Sequence, residues 1–147
     1  SGNKVPNIVA LSSGGGLLAD GLMLGEMIRS RGLDTTVLAG TYCASSCTIA
    51  FMGGTRRTMA RQATLMFHSP YTVEREATKV VLDCSDREVA DFLNKYYSLM
   101  LGKADGQFVF ERTMAYCGET EGWFLNRDAA SIFGIVNESP SPIREWN

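Results

Sequence analysis

The sequence is poor in the groups from which metal sites and many active sites are built: 147 residues hold one histidine and four cysteines. The cysteines, at positions 43, 47, 84 and 117, include no Cys-x-x-Cys pair. With His68 as the only other soft ligand, they fit no zinc signature. An excess of one charge is also lacking: 14 Lys and Arg stand against 16 Asp and Glu, a net charge of −2. Nothing there suggests a nucleic-acid binder or a basic membrane surface. No apolar run approaches the roughly 20 residues that span a bilayer. No signal peptide, internal repeat or low-complexity tract is visible. The opening Ser1-Gly2-Asn3 reads as a tag scar, so residues 1–4 are set aside and the missing leader carries no weight.

What is present is ordinary for a soluble globular domain: 45% hydrophobic and 20% charged residues. The length suits one domain with a proper core. Residues 5–138 are expected to form it, with 139–147, containing Pro140 and Pro142, as a tail. Two readings of the cysteines stay open. In an oxidising compartment they form disulfides, with Cys43–Cys47 and Cys84–Cys117 as the preferred pairs; in the cytosol they are buried thiols. Disulfides are slightly preferred, because Cys84 and Cys117 flank expected helix ends in polar loops.

Along the chain, apolar β-prone residues at 5–11 predict a buried strand that runs into a glycine cluster. Residues 17–29 predict a helix with Leu17, Gly21, Leu24 and Ile28 on one face, stopped by Gly32. Gly21 and Gly25 would let it lie close to a sheet. A strand at 35–39 completes a βαβ unit, so a parallel sheet with a right-handed crossover is expected. Residues 46–52 predict a helix, 57–60 and 64–67 two short strands, and 70–83 a mobile loop or irregular helix. Ser85-Asp86-Arg87-Glu88 reads as a capping box opening a helix to residue 101. A second helix is expected at 107–116 and an extended segment at 123–125. Asn126 then caps a helix to residue 133, and Gly134-Ile135-Val136 returns to the sheet.

Three features carry chemistry. Gly14-Gly15-Gly16 lacks the Gly-Lys-Ser/Thr of a phosphate loop and the Gly-x-Gly-x-x-Gly dinucleotide pattern. It suits a tight strand-to-helix turn, or bare N–H groups holding an oxyanion. Ser45 and Ser46 stand where a helix begins, so either caps it or acts as a nucleophile assisted by the helix dipole. Cys43 or Cys47 as a thiolate nucleophile is a weaker alternative. His68, at the end of an expected strand, is a structural hydrogen-bonder or a general base.

Taken in order, these segments resemble the Clp protease proteolytic subunit. Ser13-Gly14-Gly15-Gly16 resembles that family's Ser-Pro-Gly-Gly, and Ala44-Ser45-Ser46 its Ala-Ser-Met nucleophile turn. Gly53-Gly54-Thr55-Arg56-Arg57 resembles its Gly-rich basic stretch, and Phe67-His68-Ser69-Pro70 its Ile-His-Gln-Pro. Phe124-Leu125, then Ala130 and Gly134-Ile135-Val136, resemble its closing segment. The likeness covers roughly residues 5–137. Cys-Ala-Ser-Ser-Cys is similar to a group of uncharacterised Clp-like proteins predicted to be periplasmic, which favours disulfides and an exported location over the cytoplasm.

The resemblance implies an α/β fold of the ClpP/crotonase type, with parallel strands in repeated β-β-α or βαβ units and helices outside. It implies a serine peptidase or related acyl hydrolase with no cofactor or metal, a peptide or protein substrate, and a homo-oligomer. Ser45 would be the nucleophile, His68 the base, and the Gly15 and Ser46 N–H groups the oxyanion hole. The family's acidic third member falls at Gly122. Glu121, beside it, is the first candidate to orient His68 and Glu119 the second; a Ser–His dyad is the other form. The alternatives are a catalytically silent Clp-like domain binding a peptide or protein, and a crotonase-like acyl-CoA binder. The Ser–His pair argues against the latter.

Overall fold

The computed structural model describes residues 7–118 and 120–138. The chain takes one step three times: a strand in a first sheet, an extended residue or strand in a second sheet, then a helix. The first step is β1 (Ile8–Ala10), Ser13 and α1 (Leu18–Ser30). The second is β2 (Asp34–Val37), β3 (Tyr42–Ala44) and α2 (Ser46–Met52). The third is β4 (Arg57–Met59) and β5 (Thr64–Phe67), then a hairpin of β6 (Thr72–Glu76) and β7 (Lys79–Asp83) before α3 (Arg87–Leu101). The chain continues through α4 (Lys103–Met114), β8 (Trp123–Leu125) and α5 (Arg127–Ile132).

β1, β2 and β4 form a wholly parallel sheet. In the second sheet β3 pairs in parallel with β5, and Ser13 adds a parallel bridge to Cys43. The expected parallel, repeated architecture is therefore present, with one addition. β8 returns antiparallel along β5, pairing Phe67 with Trp123 and Met66 with Phe124. Leu65 and Phe67 are fully buried in β5, as are Phe51 and Met52 in α2. Burying side chains of this size stabilises the fold by about 1.5–3 kcal/mol each.

α2 matches the expected helix residue for residue and is the best-anchored element near the site. Every residue from Cys47 to Met52 is buried. α1 lies against α2 rather than against a sheet, which corrects the sequence expectation. A Cβ at Gly21 would come within 2.5 Å of the Ser46 carbonyl oxygen, and one at Gly25 within 3.0 Å of that of Ile49. At its far end, α2 is held by arginines. Arg29 donates to the carbonyls of Met52, Gly53, Gly54 and Met100. Arg57 donates to those of Gly54, Gly134 and Ile135. Burial first, then the charge of Arg29, pull the Arg57 guanidinium down to about 10, so it remains a cation at neutral pH. Cations at a helix C-terminus oppose its negative pole.

Other expectations change. Residues 70–83 are not a loop or helix: 72–83 form a two-stranded hairpin whose two-residue tip, Ala77-Thr78, carries none of the Asn-Gly or Gly signals of tight hairpins. The capping residue of α3 is Asp86, which accepts from the Val89 N–H at 3.1 Å, while Ser85 turns back to Asp83. That contact holds the Asp83 carboxyl below its usual range. α4 starts earlier than expected, directly after Gly102, whose φ of 91° breaks the helix away from α3. Asn126 does cap α5, accepting from Ala129 N–H at 2.9 Å. Gly134-Ile135-Val136 does not rejoin a sheet; Ile135 and Val136 donate to the Ala130 carbonyl and bury their side chains. The expected strand residues 5–6, residues 1–4, read above as a tag scar, and residues 139–147, read as a tail, lie outside the described residues.

Candidate functional site

Because the three steps stack in register, the turns that follow their second-sheet segments converge. Ser13 faces Cys43, Cys43 faces Leu65, and Ala44 faces Met66. One residue beyond Ala44 is Ser45; one beyond Phe67 is His68. The three glycines follow Ser13 on the other side. Parallel strands with aligned carboxyl ends are where α/β proteins commonly place their sites.

Ser45 has φ 58° and ψ −126°, and among the described residues it alone combines a positive φ with a side chain. Holding a non-glycine residue there costs about 1–3 kcal/mol, which the surroundings must impose. They do so from several sides. The Ser45 N–H donates to the Met66 carbonyl at 2.8 Å. Its own carbonyl accepts from Thr48 N–H at 2.9 Å and from Thr48 Oγ1 at 2.6 Å. A disulfide joins Cys43 on β3 to Cys47 on α2 across it. Ser45 is the N-cap residue of α2, yet its side chain makes no capping hydrogen bond. The hydroxyl is thus not consumed by the ordinary duty of serine at a helix start.

Gly15 lies against that hydroxyl. With φ +108°, a Cβ placed there would sit 2.6 Å from Ser45 Cβ and 3.1 Å from its Oγ. Only glycine fits. The Gly15 N–H donates to Ser13 Oγ at 3.1 Å. The Ser46 N–H belongs to the first turn of α2, where donors have no partner within the helix.

Ser45, Ser46, His68 and the glycine turn line one cleft of about 480 Å³, closed on its apolar side by Leu17, Ile49 and Met66 among others. His68 is half-buried and its ring stacks on Tyr71, centroids 5.8 Å apart and planes 30° apart. Its Nδ1 lies 2.9 Å from the Ser69 carbonyl oxygen.

Of the two acidic candidates, the one described does not join them. Glu121 is exposed and lines a different cleft, with Val73, Val80, Leu82 and Cys117. Glu119 lies outside the described residues. Gly122, the position of the acid in the resemblance, stands next to Trp123 opposite the end of β5. A Cβ there would meet Met66 Sδ at 2.4 Å and Cγ at 2.7 Å. The methionine occupies the room an acidic side chain would use. Sequence reading passed over Ser69 and Tyr71, which bear on His68; Tyr71 carries no motif, and a backbone carbonyl leaves no trace in composition.

Both preferred cysteine pairs are disulfides in the structure, Cys43–Cys47 and Cys84–Cys117. Among the described residues no cluster of metal-ligating side chains is present, and no helix is long and apolar enough to cross a membrane.

No protein-family model and no curated protein matches the sequence. Solved structures do. A serine-to-alanine mutant of the 1510-N membrane-bound stomatin-specific protease superposes with TM-score 0.66 at 14% identity, over 88% of this chain and 61% of that one. A lysine-to-alanine mutant of the same protease, in complex with a substrate peptide, gives 0.66 at 15% identity over 94% and 62%. A mutant of ClpP1 from Listeria monocytogenes gives 0.61 at 18% identity over 88% and 70%. The chain thus spans about three fifths of the stomatin-specific protease. These likenesses establish a Clp protease-like α/β fold.

Proposed function

We propose that this chain, with its Clp protease-like fold, is a serine peptidase or related acyl hydrolase working through a Ser45–His68 dyad. The observation that carries the reading is the strained Ser45 turn, its hydroxyl against Gly15 and in one cleft with the only histidine. Ser45 Oγ attacks the substrate carbonyl as His68 takes its proton, then returns it to the leaving group. The Gly15 and Ser46 N–H groups hold the oxyanion, with the N-terminal pole of α2 adding to the stabilisation. Water repeats the cycle on the acyl-enzyme. In the free protein Ser13 Oγ occupies the Gly15 donor, so a substrate oxygen displaces it.

The substrate is a peptide or protein and the working form a homo-oligomer, in keeping with the peptide-bound neighbour and the Clp-type fold. The location is an oxidising, exported compartment such as the periplasm, where two disulfides persist. A strained serine whose hydroxyl makes no capping bond, in one cleft with the histidine, supports the hydrolase over a silent peptide-binding domain.

The test is labelling of folded protein with a fluorophosphonate probe and peptide mass mapping. An adduct on Ser45 that disappears in Ser45→Ala and His68→Ala is the expected result. Folded protein that takes no adduct, or takes it on Ser46, defeats the assignment.

A further inference from the structure

From the surroundings of the imidazole, we infer that His68 is set for its role by the main-chain carbonyl of Ser69 and by the ring of Tyr71, with no carboxylate of the described residues taking part. The inference rests on the Ser45–His68 reading and names how its base is positioned.

A carbonyl oxygen only accepts hydrogen bonds. The 2.9 Å contact between His68 Nδ1 and Ser69 O therefore places the proton on Nδ1. Nε2 is left with its lone pair, the form a general base needs toward a serine hydroxyl. In a Ser-His-Asp triad a buried carboxylate fixes the same tautomer. Position 122 supplies none here: Gly122 has no side chain, and the Met66 side chain stands where its Cβ would be. Glu121 faces another cleft.

The carbonyl is itself well held. Ser69 is fully buried, and its N–H donates to the Tyr116 carbonyl at 2.7 Å. Tyr116 precedes Cys117, which is bonded to Cys84. The chain on both sides of the imidazole is thus anchored: β5 before it, the Tyr116 strap after it. Tyr71 supplies what a hydrogen bond at one nitrogen leaves free, rotation of the ring about that contact. Its side chain stacks on the imidazole at 30°. Ser69 and Tyr71 are positioning groups, acting through the imidazole they contact.

A carbonyl carries no full charge, so it orients the neutral imidazole while stabilising the imidazolium less than a carboxylate does. The dyad is accordingly expected to be slower than a triad and indifferent to substitution of Glu119 and Glu121.

The single histidine makes the test unambiguous. Long-range proton–nitrogen NMR of uniformly nitrogen-15-labelled protein reads the tautomer of His68 whether or not the site turns over. Neutral His68 is expected to carry its proton on Nδ1 in the parent, in Glu121→Gln and in Glu119→Gln. Tyr71→Ala is expected to mix the two tautomers and to lower the maximal fluorophosphonate inactivation rate about tenfold with unchanged probe affinity. Tyr71→Phe, which keeps the ring, restores both. A proton mainly on Nε2, or a tautomer that changes in either glutamine variant, overturns the inference. So does a Tyr71→Ala protein that is indistinguishable from the parent. If the parent takes no probe, the proposed hydrolase fails while the NMR result still decides the positioning.

Discussion

The two sides of the cleft, that of the proposed nucleophile Ser45 and that of the proposed base His68, are built on different terms. Ser45 lies between β3 and α2, a helix buried from Cys47 to Met52, and its strained backbone is enforced by hydrogen bonds, a glycine wall and a sequestered disulfide. Cys43 and Cys47 are 0% and 6% exposed. His68 stands at the end of β5, where the chain leaves the core for an exposed hairpin. Its disulfide, Cys84–Cys117, lies nearer to solvent, with Cys117 exposed. The difference follows from what each group must do. A nucleophile with an oxyanion hole tolerates little displacement, because the donors must meet a charge that exists only transiently. A base needs the right tautomer and a ring free to pass a proton both ways.

The largest test of that contrast is Gly15→Ala. The new methyl group meets Ser45 Cβ, and φ +108° is strained for any side chain. The turn must shift by several tenths of an ångström, taking one of the proposed oxyanion donors with it. Loss of one such donor costs about 10²–10³ in turnover. The probe-labelling rate is expected to fall by that factor while the circular dichroism spectrum stays native. Labelling within tenfold of the parent would show that Gly15 shapes the turn without serving the oxyanion.

The two disulfides allow the same comparison in another quantity. Cys43–Cys47 spans four residues of sequence and Cys84–Cys117 spans 33. In the chain-entropy description these closures stabilise by about 2 and about 4 kcal/mol. The short one therefore matters more for local geometry, the long one for global stability. Cys84→Ser/Cys117→Ser is expected to lose about 4 kcal/mol in urea unfolding. Because Tyr116 holds Ser69, its labelling rate should also fall by roughly tenfold, the scale of an ordinary coupling between sites. Under mild reductant, alkylation and mass mapping should find Cys84 and Cys117 modified before Cys43 and Cys47. The reverse order in folded protein would contradict the sequestered nucleophile turn.

The same contrast decides what the sequence revealed. α2 was legible to the residue because a run of buried apolar side chains between Ser46 and Gly53 has one outcome. That Ser45, the glycine turn and His68 meet at one cleft was legible because residue type and order set where they fall at the strand ends; the roles proposed for them are a matter for the labelling experiment. The hairpin was not: Glu74, Arg75 and Glu76 are exposed, β6 has no buried face, and its tip lacks turn residues. β8 was read as extended, yet its antiparallel return depends on how the preceding helices fold back, which no local pattern encodes. Glu121 is adjacent to Gly122 in sequence, but both precede β8 and Glu121 lines the other cleft, so adjacency alone does not bring its carboxylate to His68. What orients His68 is a backbone carbonyl, a group every residue has.

The smallest effect expected is also the most diagnostic of how the nucleophile side rests before substrate arrives. Ser13 Oγ accepts the Gly15 N–H at 3.1 Å. An oxyanion must replace that bond, so the hydroxyl competes with the transition state. The position of Ser13 does not depend on its side chain: its N–H donates to Tyr42 O at 3.1 Å, and its carbonyl accepts from Ala44 N–H at 2.9 Å. Ser13→Ala should leave the turn in place and free the amide. A typical hydrogen bond contributes about 1 kcal/mol net, so the labelling rate is expected to rise roughly fivefold. A fall of tenfold or more would mean the opposite, that the hydroxyl orders the glycines and the amide is aimed only while Ser13 holds it. The nucleophile side would then lean on a side-chain contact as the base side leans on Tyr71, and the contrast between them would narrow.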